Sequence, residues 1–109
     1  MTRVKVFISQ PMKGLTEKEI LDKRNEAIKR IKNDLECMWQ DIEIIDSYFE
    51  DYDPSKGCIP LKYLAKSLEL LADADLALFI GDWVKYRGCK IEHECAKQYG
   101  INVAYYEEV

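Results

Sequence analysis

The run LALFI at residues 76–80 constrains the fold more than any other stretch. A continuous apolar run between Asp73-Ala74-Asp75 and Gly81-Asp82-Trp83 suits a strand buried on both faces, as in a parallel sheet covered by helices. Residues 86–100, YRGCKIEHECAKQYG, then pass from a Gly-containing turn into helical spacing. A buried parallel strand that feeds a helix across a polar turn is where α/β proteins place their ligands.

Two residues of this joint carry chemistry. Gly88 allows a ligand to approach the backbone closely, and Glu92 is expected in or near the first helical turn. Free N–H groups and the helix dipole there would hold the carboxylate ionised, as a nucleophile requires. Equally, a Glu in a first turn is simply a good helix start. Ile91, Cys95 and Tyr99 are spaced to face the sheet, with Glu92 beside them at the crevice mouth and Glu94 pointing away.

The rest of the chain repeats strand, loop and helix. Residues 4–8, VKVFI, form a first strand and lead into the turn-rich Ser9-Gln10-Pro11-Met12-Lys13-Gly14. Thr16 and Glu19 match a capping box that opens a long helix, whose stripe of Leu21, Ile28, Ile31, Leu35 and Met38 faces a sheet. A second strand covers residues 42–46 and ends in the acidic, aromatic loop 47–54. Its Tyr48, Phe49 and Tyr52 suit either a wall for a planar base or a cap on the sheet or subunit contact.

Leu61, Leu64, Leu68 and Leu71 mark a second helix with Pro60 near its start. Gly100 ends the third helix, and residues 101–106 read as a last strand. This alternation requires right-handed crossovers and a parallel sheet. The expected fold is a single-domain flavodoxin/Rossmann-like three-layer α/β/α sandwich of about four strands in the order 2-1-3-4. The loops after strands one and three then face each other across one crevice.

At 109 residues, 48% apolar and 33% charged, the chain has the balance of one soluble globular domain. A net charge of -4 without a basic cluster argues against duplex nucleic acid and anionic membranes as partners. No apolar stretch resembles a signal peptide or membrane span, so a cytoplasmic location is expected. Cys37, Cys58, Cys89 and Cys95 lack a CxxC, which fits reduced thiols.

Several motifs fail. Neither a G-x-G-x-x-G nor a phosphate-binding G-x-x-x-x-G-K-[ST] is present. His93-Glu94 begins like a zinc-protease H-E-x-x-H, but position 97 is Lys. Cys89 and His93 share helical spacing without a second ligand pair, and no cofactor or metal is expected. His93, the one histidine of the chain, has no G-x-S-x-G elbow to serve and suits a hydrogen-bonding or surface role.

VFISQPMKG, LADADLALFIGDW and RGCKIEHECAKQYGINV together resemble the nucleoside 2-deoxyribosyltransferase-like family, nearest its short phage and bacterial members. The family pattern Gly-Thr-x-x-Glu-hydrophobic-Gly-x-Ala aligns with residues 88–96, GCKIEHECA. The resemblance implies that Glu92 is a nucleophile that attacks the sugar C1′, expels the base and forms a glycosyl-enzyme, which water or another base resolves. It implies that Asp82 assists at the base or sugar.

Substrate contacts would come from Ser9, Gln10, Pro11, Met12, Lys13, Trp83, Arg87 and Gly88. Ser9, Lys13 and Arg87 suit a 5′-phosphate. A nucleoside or nucleotide partner and a homo-oligomer are also implied. Cys89 replaces the family's Thr, Glu94 its second Gly, and Phe7 a Tyr near the nucleophile, while the neighbour-donated Asn has no counterpart in residues 105–109. These departures leave cleavage as the expectation and weaken the case for transfer between bases. Two other readings remain open: a non-catalytic nucleotide binder and a protein-interaction module built on the aromatic loop.

Overall fold

The computed structural model describes residues 3–36, 41–48 and 55–109. Its strands are β1 (Arg3–Ser9), β2 (Asp41–Ile44), β3 (Leu76–Ile80) and β4 (Asn102–Tyr106). All pair in parallel, in the order β2-β1-β3-β4. The helices are α1 (Glu17–Glu36), α2 (Ile59–Leu71) and α3 (Arg87–Gln98), with a single 3-10 turn at Trp83–Lys85.

The alternation of side chains along a strand builds two cores. Val6 and Ile8 of β1 join Leu78 and Ile80 of β3 against Ala27 and Ile31 of α1. Phe7, Ala77 and Phe79 point the other way, against Leu71 of α2 and Cys89 and Ala96 of α3. Helices therefore cover both faces, as expected of a three-layer α/β/α sandwich. Val6, Phe7, Ile8, Leu78, Phe79 and Ile80 are almost wholly buried, each worth roughly 1.5–3 kcal/mol of transfer free energy.

Local signals set the helix ends. Thr16 N–H donates to Glu19 Oε1 at 2.9 Å and Glu19 N–H to Thr16 Oγ1 at 3.1 Å, the reciprocal capping box. Pro60 occupies the first turn of α2, where a missing N–H costs nothing. At the end of α3, Gly100 takes φ +74°, while Ile101 N–H bonds the Ala96 carbonyl at 2.9 Å. That left-handed closure favours glycine.

The structure departs from the sequence expectations in four places. The stripe of α1 is centred on Ile20, Arg24, Ala27 and Ile31, with Ile28 and Leu35 at its flank, because the small Ala27 lets the helix approach the sheet. Met38 lies outside the described residues. Strand β2 ends at Ile44: the Ile45 N–H still reaches the Val6 carbonyl at 2.9 Å, but the Ile45 carbonyl turns to Arg24.

On α2, Leu61 is 59% exposed rather than packed on the sheet. On α3 the buried face is Cys89, Glu92 and Ala96, whereas Ile91 is exposed and Tyr99 is 84% exposed. Helical spacing fixes which residues share a side, and contact with β3 and β4 decides which side turns inward.

Candidate functional site

The order β2-β1-β3-β4 reverses direction between β1 and β3, so the loops that leave their carboxyl ends flank a crevice. A cavity of about 950 Å³ opens there between the β1 loop, α2 and the start of α3. Gln10, Met12, Lys13, Ser47, Arg87, Gly88, Cys89 and Glu92 line it, with Leu61, Leu64 and Ile91 among its apolar walls. The volume matches that of small-ligand sites.

Ser9 faces Phe79 of β3 in register and shares Phe7's side of the sheet, so its hydroxyl points to α3. There Ser9 Oγ–H donates to Glu92 Oε1 at 2.6 Å. Ser67 of α2 supplies a second side-chain hydrogen bond to the same carboxyl. Burial pushes Glu92 up from its ordinary 4.5 to about 7, against the opposing pull of the Ser9 and Ser67 hydroxyls. At neutral pH the carboxyl thus exists in both protonation states.

That overturns the expectation of a carboxylate held ionised by the first turn. Helix α3 begins at Arg87, its first internal bond runs from Lys90 N–H to the Tyr86 carbonyl, and Glu92 belongs to the second turn. The N–H groups without an intrahelical acceptor are those of Arg87, Gly88 and Cys89, which border the cavity instead. Desolvation of a side chain only 7% exposed outweighs a dipole felt mainly in the first turn.

One turn before Glu92, Cys89 is in hydrogen-bond contact with Ser9, and burial pushes its thiol up to about 11. The thiol is therefore neutral and poorly nucleophilic. A Cβ added at Gly88 would meet nothing within 4 Å, so open space stands over this part of the helix start.

The other anticipated residues divide between two places. Gln10, Met12, Lys13, Arg87 and Gly88 line the large cavity together with Glu92. Pro11 and Asp82 line a smaller one of about 280 Å³, and Tyr86 borders both. The Asp82 side chain is 72% exposed and pairs with Lys85 at 3.7 Å.

Trp83 lines neither cavity: it packs into the core, 5.1 Å from Phe79 and 4.5 Å from His93 between ring centroids. Its indole N–H is buried without a hydrogen-bond partner. His93 Nε2 lies 2.7 Å from Tyr105 Oη, and its half-buried ring packs beside Phe79 and Trp83. Phe49 and Tyr52 lie outside the described residues.

Three participants escaped sequence reading. Ser67 was hidden among the leucines of α2, although its place three residues after Leu64 put it on that helix's inner side. Arg24 and Ser47 form a second buried polar group beside the cavity. Arg24 donates to Ser47 Oγ and the Ile45 carbonyl, each at 3.1 Å, and to Gln10 Oε1 at 3.4 Å. The signal was an arginine four residues after Ile20 on an otherwise apolar stripe.

Among the described residues no three His, Cys, Asp or Glu side chains gather as a metal site, and no helix is long and apolar enough to cross a membrane. Comparison with protein-family models, curated proteins and solved structures gives no match to this chain.

Proposed function

We propose that this chain cleaves the N-glycosidic bond of a nucleoside or nucleoside monophosphate, with Glu92 as the nucleophile. The observation that carries the reading is a buried carboxyl, held by the Ser9 hydroxyl at 2.6 Å, on the wall of a cavity of ligand size at the switch point of a parallel sheet. Its place in GCKIEHECA is that of the nucleophile in the deoxyribosyltransferase-like pattern.

In the first step the Glu92 carboxylate bonds to the sugar C1′ as the C1′–N bond breaks and the base leaves with the bonding pair, taking up a proton. Water then attacks C1′, loses a proton and releases the sugar and the carboxylate; a second base in place of water would give transfer. A carboxyl that titrates near 7 is available as a carboxylate above neutrality. Exposed Lys13 and Arg87 at the cavity are suited to a 5′-phosphate. Asp82 opens onto the neighbouring cavity, and its part in protonating the base rests on the resemblance alone.

A nucleotide binder without turnover is the second reading, favoured by the partly protonated state of Glu92 at neutrality and by Phe7 where the family has a Tyr. Incubation with nucleosides and their monophosphates, followed by chromatography for free base, separates the two. Glu92→Gln is expected to lower base release by at least about 10³-fold while ligand affinity is retained. Equal inertness of the two proteins, both still binding, would leave the binder.

A further inference from the structure

Ser9 and Gln10 are neighbours in the chain but serve different polar groups. Gln10 and Ser47 belong to the group held by Arg24, and both line the same cavity as Glu92. A guanidinium has donors and no acceptor. The Ser47 oxygen therefore accepts from Arg24 at 3.1 Å, and its own proton goes to the Ile8 carbonyl at 2.9 Å. With its proton committed, that oxygen retains acceptor capacity only. Gln10 is oriented by the same group: its Nε2 donates one N–H to the Ile20 carbonyl at 2.9 Å while Oε1 faces Arg24 at 3.4 Å.

We infer that Arg24 is a positioning residue for ligand choice. By committing the Ser47 proton to Ile8, it makes this wall of the cavity an acceptor that selects an amino-substituted nucleobase over the corresponding oxo base. The inference rests on the reading of the cavity as a nucleoside site. An amino group donates to the free lone pair of Ser47. An oxo group sets lone pair against lone pair, and relief requires the Ser47 hydroxyl to abandon the buried Ile8 carbonyl. The expected discrimination is on the order of tenfold to a hundredfold.

The test titrates the Glu92→Gln chain, in which ligands are not consumed, with adenosine and inosine and with cytidine and uridine, as nucleosides and as 5′-monophosphates. In at least one pair the amino member should bind tighter by that factor. Adding Ser47→Ala should bring the ratio to within about twofold of unity, whereas Ser47→Thr, which keeps a hydroxyl, should preserve it. Arg24→Gln should relax the ratio, because the amide carbonyl can accept the Ser47 proton and free it from Ile8. A purely structural role would change all affinities together and leave the ratio alone.

Equal affinities in both pairs, preference for the oxo members, a ratio that survives Ser47→Ala, or no binding of any member would overturn the inference. Wild-type protein assayed for base release keeps the two readings apart. Amino preference without release leaves the acceptor wall standing in a binder, and release without preference leaves cleavage standing and removes the role of Arg24.

Discussion

Arg24 and Glu92 are both charged residues buried on the sheet-facing sides of helices, yet their surroundings differ in kind. Arg24, on the α1 side, is surrounded by fixed acceptors: Ser47 Oγ, the Ile45 carbonyl and Gln10 Oε1. Burial draws its guanidinium below its ordinary value and nearby Asp46 works against that, but a group of such high intrinsic pKa stays charged. Glu92, on the α3 side, has hydroxyl partners and open cavity, and it titrates near neutrality. One charge is locked to hold a wall. The other is left able to change state.

The largest stability effect should come from breaking the locked side. Arg24→Met removes the donor from acceptors just beyond β2 and in the β1 loop, and is expected to cost about 2–4 kcal/mol in urea unfolding. A loss below about 0.5 kcal/mol, the range of ordinary surface changes, would erase the contrast with Glu92.

Glu92→Gln should act in the opposite sense on stability, and only above mildly acidic pH. The folded chain keeps its Glu92 proton up to about pH 7, whereas the ordinary carboxyl value of 4.5 applies once unfolded. Between those values the folded state binds the extra proton, so this group's contribution to stability falls as pH rises and levels off above about 7. The total is about 3 kcal/mol at roughly 1.4 kcal/mol per pH unit. Unfolding of both proteins at pH 5 and pH 8 should show the Gln variant gaining on wild type with rising pH, and parallel curves would place Glu92 in an ordinary solvated environment.

A smaller effect tests the support of the Glu92 carboxyl, the nucleophile in the proposed reaction. Ser9→Ala deletes a hydroxyl that favours the ionised carboxyl, so the rise of kcat/KM with pH should move upward by about one unit. A limb that stays in place would mean that Ser9 does not set the charge state. The smallest change belongs to the aromatic cluster beside α3. The Trp83 indole N–H is buried without a partner, so Trp83→Phe loses ring area but relieves an unsatisfied donor, for a net change of about 1 kcal/mol or less in thermal unfolding.

The elements that carry these groups were legible as patterns. LALFI, the Thr16 and Glu19 box, Pro60 and Gly100 each act through local sterics or hydrogen bonds that a short segment already contains. The parallel sheet followed from alternation and crossover handedness, and the order β2-β1-β3-β4 matches the flavodoxin-like expectation. Less legible was the depth of each helical face. Leu61 and Tyr99 keep the spacing of their stripes and stay exposed, while Arg24 and Glu92 go in, because burial is settled by what each helix meets across the sheet. Asp82 and Glu92, ten positions apart at one joint, open onto different cavities because Tyr86 stands between the two.

By itself the sequence determined the order and type of elements, the parallel sheet and the joint at residues 81–92, since all of these depend on periodicity and on contacts close along the chain. Only the tertiary structure decided the chemistry of that joint. The pairing of Ser9 with Glu92 spans 83 positions, and that of Arg24 with Ser47 spans 23. The alternation of β1 sends Ser9 to α3 and Gln10 to α1, and the water lost around Glu92 sets its charge state. Desolvation is a property of the assembled sheet and helices and has no counterpart in any single segment.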